Sequence, residues 1–214
     1  MQHRLPALGL AVLLVLSACS VVSGSGKVAS ETRQVSGFTA IDLSGTGEVT
    51  IEQGDTESLT IEADDNVLPA LTSKVSDSTL KLGKKPGTTV RTQNPIRYRV
   101  AVKELTALDV SGAGSVQAQK MTLQMLHVDI SGSGVVNLSG SVVEQHIEVS
   151  GSGRYEAAEL ASQKVTADIS GSGQVDVAVS GELKVDISGS GTVTYSGDPS
   201  VQQDVSGSGK VIKK

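Results

Sequence analysis

Seven acidic residues recur in one local context and are the first candidates for chemistry in this chain. Each stands two residues before the serine of a Ser-Gly-(Ser/Ala/Thr)-Gly tetrapeptide. Such carboxylates could accept hydrogen bonds from turn amides and serine hydroxyls, or they could bind divalent cations. The first interpretation is favoured, because the aspartates of calcium-binding nonapeptide repeats follow their glycines rather than precede them. The seven residues are Asp42, Asp109, Asp129, Glu148, Asp168, Asp186 and Asp204.

A pair of histidines shares one position of the same repeat. His127 and His146 each stand four residues before the repeated serine. Paired imidazoles beside carboxylates could bind Zn²⁺. A chance pair on a variable surface column is favoured, because four other repeats carry unrelated residues there, so neither a metal site nor a cofactor is predicted. Those four residues are Ala107, Thr166, Lys184 and Gln202.

The abundant serines do not indicate a nucleophile. Every copy has the same Ser-Gly context, and this half of the chain lacks the strand-to-helix elbow that exposes a catalytic serine. Glycoside cleavage requires two acids in different environments around a groove, whereas these acids are equivalent by repetition. We therefore predict that the protein is not an enzyme and has no catalytic residues.

The elements that must position these side chains follow from the tetrapeptide itself. It recurs six times in the C-terminal half, at steps of 20, 19, 20, 18 and 18 residues. A nearly fixed period of this length is typical of stacked repeat units. Earlier copies begin at Ser23 and Ser44, and the regular copies begin at Ser111, Ser131, Ser150, Ser170, Ser188 and Ser206.

Apolar and polar residues alternate on both sides of each tetrapeptide, which is the period of a half-buried strand. Each unit is therefore predicted to have two strands of about five residues, joined by the glycine turn and closed by a looser turn such as Ser139–Ser141. Glycine suits the tight turn because it tolerates positive φ and close backbone approach. The predicted structural glycines are Gly112, Gly114, Gly132, Gly134, Gly151, Gly153, Gly171, Gly173, Gly189, Gly191, Gly207 and Gly209.

Two topologies fit this pattern. In a parallel β-helix each unit is one coil and the glycine turns stack in register, whereas in an antiparallel meander each tetrapeptide is a hairpin tip. The β-helix is favoured, because both strands of a unit direct apolar residues inward at matched positions. We predict an all-β solenoid with repeats of about 18–20 residues, preceded by a less regular β region.

The first residues predict export and lipidation. A basic start precedes an apolar run from Leu5 to Leu16, which is too short to span a bilayer and is typical of a secretory signal. Its end, Leu-Ser-Ala-Cys, resembles the lipobox of bacterial lipoproteins. We expect cleavage between Ala18 and Cys19 and lipid on Cys19, the only cysteine. Because Ser20 rather than aspartate follows, the outer membrane is the favoured destination.

Four segments are predicted along the chain. Residues 1–18 are the signal peptide and residues 19–34 a flexible tether. Residues 35–104 form the irregular β region, with one short helix from Val67 to Lys74. Residues 105–214 form the regular repeats, and these last two segments could be one continuous domain.

Composition excludes some classes of partner. The formal net charge is −5 at pH 7, which argues against binding to a nucleic-acid backbone. Only one phenylalanine, three tyrosines and no tryptophan are present. Proteins that stack bases or sugars on exposed rings need more aromatic side chains than this.

The chain resembles a bacterial family, the putative auto-transporter adhesins with a head GIN domain. The resemblance rests on Phe38-Thr39-Ala40-Ile41, the Val67–Leu71 segment and the repeated Ser-Gly turns with their preceding acid. It implies a two-sheeted, right-handed β-helix, a lipoprotein and a role in cell adhesion. It transfers no site residues.

We therefore expect a non-enzymatic adhesion or assembly module of the cell envelope, attached to the membrane through its N-terminal lipid. A surface polymer, glycan or protein is the expected partner. A β-helix that binds or degrades carbohydrate is the first alternative. A structural envelope lipoprotein without a ligand is the second.

Overall fold

The computed structural model describes residues 20–214, so the signal peptide, Ala18 and Cys19 lie outside the described residues. Within these residues, strands account for nearly all of the regular structure, and one 3₁₀ helix, Leu68–Ala70, interrupts them. The strands are β1 (Ser20–Ser23), β2 (Val28–Arg33), β3 (Ala40–Gly45), β4 (Glu48–Gln53), β5 (Ser58–Asp64), β6 (Leu71–Ser76), β7 (Thr79–Lys84), β8 (Thr88–Arg91), β9 (Arg97–Val102), β10 (Ala107–Gly112), β11 (Ser115–Gly132), β12 (Val135–Gly151), β13 (Arg154–Gly171), β14 (Gln174–Gly189), β15 (Thr192–Ser196), β16 (Ser200–Gly207) and β17 (Lys210–Lys213).

Successive repeats pair as parallel strands in register. Ser131 of β11 lies opposite Ser111 of β10 and Ser150 of β12, and the same serine-to-serine pairing continues through Ser170 of β13. Hairpin pairing across the glycine turns, which the meander requires, does not occur in residues 20–214. The predicted β-solenoid is therefore confirmed. Strands β3 and β4 form its first coil along the chain, and they pair in register with β10 and β11 of the regular repeats.

Within a coil, the chain differs from the predicted pair of short strands. Strands β11, β12 and β13 run for 18, 17 and 18 residues. The looser turn expected at Ser139–Ser141 is a bend inside β12, and the ladders to both neighbouring coils shift register beside it before they continue. In β11 two consecutive outward residues mark each bend, at Gln119–Lys120 and at Gln124–Met125.

The inward side chains form one continuous core along the solenoid. In β11 the buried positions alternate with exposed ones within each stretch between bends. Burying each aliphatic side chain stabilises the fold by about 1.5–3 kcal/mol. Tyr155 lies fully inside this core, where its hydroxyl donates a hydrogen bond of 2.5 Å to Oε1 of the buried Gln145. Burial raises the pKa of Tyr155, so the phenol stays neutral and acts as a donor.

The segment predicted as a flexible tether contains two strands. β1 pairs in parallel with β8, and β2 pairs antiparallel with β5. Arg33 of β2 also donates hydrogen bonds of 2.9 and 3.0 Å to the carbonyl oxygens of Leu68 and Leu71. The tether prediction is wrong for residues 20–23 and 28–33, because distant strands supply the backbone partners that a polar Ser/Gly-rich segment lacks by itself.

The helix predicted from Val67 to Lys74 is reduced to the 3₁₀ helix. Pro69 stands in its first turn, as expected. From Leu71 onward the chain pairs antiparallel with β7 instead. A ladder along six residues satisfies more backbone groups than one more helical turn, so tertiary pairing outweighs the local helix signal.

The buried carboxylate of Asp64 holds the irregular region together. Its Oδ1 accepts a hydrogen bond of 2.6 Å from Nδ2 of Asn94, and its Oδ2 accepts one of 3.0 Å from the amide of Gln93. The Gln93 side chain in turn donates to the carbonyl of Gly24 at 3.0 Å. These donors favour the ionised form, with the Asn94 amide first among them, and lower the pKa of Asp64.

The stability of the protein should therefore depend on Asp64 in a pH-dependent way. A lowered folded-state pKa stabilises the fold at pH values above the unfolded pKa of about 3.9, and this contribution disappears as pH falls through the folded pKa. We expect Asp64→Asn to lower the urea midpoint at pH 7, since an amide cannot accept both hydrogen bonds. The difference from wild type should shrink as pH falls below about 3.9, the pKa of the carboxyl in the unfolded chain.

The exposed Asp55 offers a control for this experiment. Asp55→Asn should leave the urea midpoint close to that of wild type at every pH. A deficit of Asp64→Asn that does not shrink as pH falls below about 3.9, the pKa of the unfolded carboxyl, would contradict the role assigned to the charge.

Candidate functional site

The seven repeat acids form one outward column on the solenoid. Asp109 is the Cα partner of Asp42 on one side and of Asp129 on the other. The column then continues through Glu148 and Asp168, and it ends at Asp186 and Asp204. Since strands in a sheet lie about 4.8 Å apart, the column places one carboxylate on each coil at this spacing.

Serine hydroxyls partner some of these acids. Ser44 donates to Oδ1 of Asp42 at 3.1 Å, and Ser131 donates to Oδ1 of Asp129 at 2.9 Å. These contacts are the ones expected if the acids serve as acceptors beside the turn. Asp109 lies between two of the acids, and burial followed by the charges of its neighbours raises its pKa.

The two histidines are in direct contact. His127 and His146 are Cα partners, and their rings stack with centroids 4.9 Å apart and an angle of 17° between the planes. Nε2 of His146 lies 3.0 Å from Oε1 of Glu148 and 4.0 Å from Oδ2 of Asp168. One nitrogen of each histidine and one oxygen of Glu148 lie within 4.8 Å of one another. The histidine column and the acid column therefore meet in a cluster of imidazole and carboxylate groups, formed by His127, His146 and Glu148.

The predicted structural glycines occupy the corners in two distinct ways. The first glycine of a tetrapeptide has positive φ, and a Cβ there would lie within about 2.7 Å of the glycine carbonyl oxygen in the preceding coil; Gly132, with φ of 123°, is an example. At the second glycine, a Cβ would meet an inward side chain of the preceding coil, as Gly134 would meet Val110. Both glycines are therefore required for the coils to stack this closely.

A groove lies where the repeat is broken, between the first coil and the β7–β8 connection. Its volume is about 500 Å³. The charged side chains that line it are Asp42, Lys81, Lys84 and Lys85. One carboxylate and three lysines line the groove, so its surface is basic, and it lacks the acid pair that glycoside hydrolysis uses.

None of the helical structure in residues 20–214 is long and apolar enough to cross a membrane.

A parallel β-solenoid with regular outward columns defines the structural class of this protein. A protein-family profile described as "Putative auto-transporter adhesin, head GIN domain" matches residues 37–199. The match covers most of the chain, which therefore belongs to this family. The resemblance noted in the sequence is thus confirmed.

Solved structures show the same fold. The chain is similar to a putative adhesin from Bacteroides fragilis, with a TM-score of 0.76 and 22% identity over 90% of this chain and 100% of that one. A putative lipid binding protein from Parabacteroides distasonis has a TM-score of 0.56 at 23% identity over 91% and 100% of the two chains. A putative adhesin from Parabacteroides merdae has a TM-score of 0.54 at 25% identity, over 91% of this chain and 99% of that one. None of the curated proteins compared matches this chain.

Proposed function

We propose that the protein is a non-enzymatic adhesion or assembly module of the cell envelope, held at the membrane by lipid on Cys19. The observation that carries the proposal is the in-register outward ladder of acid and serine columns. The family description and the names of two of the similar structures support it, since they describe adhesins.

The ladder suits repeated weak contacts. Each coil presents the same outward carboxylate and hydroxyl at a spacing of about 4.8 Å, on strands held by a continuous backbone ladder. A polymer or a second repetitive surface could therefore contact several coils at once. Linked weak contacts raise the overall affinity by about 10²–10⁴-fold without any strong single site.

The corner serines lack the partners that a nucleophile requires. Each lies at an equivalent position of the coil, and no histidine in residues 20–214 forms a hydrogen bond to any of them. A nucleophilic serine needs an adjacent base within hydrogen-bond reach.

The proposal is tested by cell attachment. Deleting the gene from the native host should reduce cell aggregation and attachment to surfaces, and the wild-type protein should restore both. A double variant of the ladder, Asp186→Asn with Asp204→Asn, should restore attachment poorly although it reaches the same cellular level. These two acids lie away from the histidines, so the result does not depend on them.

The control removes two charges elsewhere on the surface. Glu144 and Glu159 are exposed at bends of the coil, and Glu144→Gln with Glu159→Gln should restore attachment fully. Normal attachment of the deletion strain would overturn the adhesive role, and equal effects of the two double variants would overturn the role of the ladder.

A second candidate function, carbohydrate binding, is favoured by the basic groove. Lys81, Lys84 and Lys85 place three ammonium groups around its rim, and acidic polysaccharides carry the complementary charge. The purified protein should then bind such a polymer without cleaving it, and Lys81→Ala with Lys84→Ala should abolish binding. Unchanged binding by this variant would exclude the groove.

A further inference from the structure

We propose that His127, His146 and Glu148 form a surface binding site for a divalent transition-metal ion, with Zn²⁺ as the best-fitting metal. The site is separate from the adhesive role, because it needs only the two coils that carry these residues. It rests on contacts that the repeat register creates rather than on the acidic column as such.

The donor atoms have the number that zinc requires, and their spacing is close to that of a zinc site. The three donors, one from each residue, lie within 4.8 Å of one another. Tetrahedral ligands at about 2.0–2.1 Å from zinc lie about 3.3 Å apart. The separation of 3.0 Å between His146 Nε2 and Glu148 Oε1 is already close to that value. The His127 nitrogen lies within 4.8 Å of the other donors, so binding requires its ring to rotate toward them. A water molecule would occupy the fourth position.

The backbone fixes the positions of these three residues relative to one another before any ion binds. His127 and His146 are direct Cα partners in β11 and β12, at the centre of the parallel ladder. Glu148 follows His146 by two residues, so its side chain lies on the same outward face. Strands on both sides continue the ladder, which keeps the two coils from separating. Preorganised ligands lose less conformational freedom on binding.

Neighbouring charges favour a cation at this place. Asp129 follows His127 as Glu148 follows His146, and Oδ2 of Asp168 lies 4.0 Å from His146 Nε2. These carboxylates would help to balance the charge of the ion. The His146 side chain is 39% exposed and that of Glu148 is 47% exposed, so an ion can enter from solvent without opening the fold.

The ligand types distinguish this cluster from the rest of the column. Ca²⁺ and Mg²⁺ prefer oxygen ligands in larger number, whereas imidazole suits Zn²⁺, Cu²⁺ and Ni²⁺. The variable position carries Thr166 and Lys184 in the following coils, so the imidazole pair is confined to β11 and β12 among the coils from Ala107 onward. The site therefore bridges two coils at one height of the solenoid.

The test is a Zn²⁺ titration of the purified protein at pH 7.5, followed by competition with a chromophoric chelator. We expect one ion per chain with a dissociation constant below micromolar, and at least a tenfold loss of affinity in His127→Ala, His146→Ala and Glu148→Gln. With Co²⁺ as the probe, the wild-type protein should show the visible absorption of a tetrahedral site, and the histidine variants should lose it.

Two control variants match the test variants in type and position. Lys184→Ala lies in the histidine column and Asp186→Asn in the acid column, both in β14 beyond the site. Both should bind Zn²⁺ as wild type does. In the presence of a chelator, all variants should have the same melting temperature as the wild type, and this result would show that they fold.

Either of two results would overturn the proposal. The first is the absence of binding tighter than micromolar. The second is unchanged affinity in the His127→Ala, His146→Ala double variant, which would place the ion elsewhere on the chain. Neither result bears on cell attachment, so the two proposals fail separately.

Discussion

Replacing Gly132 by alanine should destabilise the protein by about 2–6 kcal/mol, the sum of backbone strain and overpacking. Gly132 has φ of 123°, a conformation that costs a residue with a Cβ about 1–3 kcal/mol. The new Cβ would also lie 2.6 Å from the carbonyl oxygen of Gly112. That oxygen accepts the amide of Ser133 at 2.8 Å, so relieving the clash would weaken the ladder at the corner.

Gly45 provides a matched control within the same motif. Its φ is 101°, but a Cβ there would meet nothing within 4 Å, because no earlier glycine corner lies beneath it. Gly45→Ala should therefore lose only the backbone term of about 1–3 kcal/mol. Urea unfolding of the two variants and the wild type measures the cost of backbone strain and the cost of the clash with the preceding coil. Equal losses would show that coil-to-coil contact does not select glycine at these corners.

Replacing Cys19 by alanine should move the protein almost completely out of the membrane fraction. The expected lipid is attached only through this thiol, and each buried methylene of an acyl chain contributes about 0.8 kcal/mol to membrane binding. Several chains together make attachment stable, and their loss removes that attachment. Fractionation of cells followed by immunoblotting measures the distribution, and mass spectrometry of the N-terminal peptide identifies the lipid.

The neighbouring residue supplies the control for this variant. Ser20→Ala keeps the thiol and should leave the protein in the membrane fraction with its lipid. If Cys19→Ala fractionates as wild type does, the lipid-anchor hypothesis is wrong. The adhesive surface could then still act, because the ladder lies in the solenoid and not at the N-terminus.

The local sequence pattern predicted the repeating part of the fold well. A glycine pair flanked by alternating β-branched residues allows few arrangements, because each coil has one apolar side and cannot bury it alone. The parallel stacking of Ser111 on Ser131 follows from that requirement. The same reasoning placed His127 and His146 in one column, since equal repeat positions become neighbours.

The irregular region was predicted less well, for an identifiable reason. Val28–Arg33 and Leu71–Ser76 become strands through pairing with distant segments. Neither segment has a period that identifies its partner, and the polar Ser/Gly-rich start near Ser23 is compatible with a tether. Such pairing is decided by the burial of the whole region, as the network around Asp64 illustrates.

The sequence by itself determined the class of fold, the register of the coils and the columns in which polar side chains stand. These properties follow from periodicity, because identical corners can stack only in one register. Only the tertiary structure decided which side chains meet: the stacked imidazoles, the 3.0 Å approach of His146 to Glu148 and the raised pKa of Asp109. Such contacts depend on side-chain rotation, on local burial and on the charge of the adjacent coil, none of which is encoded in the spacing of the repeat.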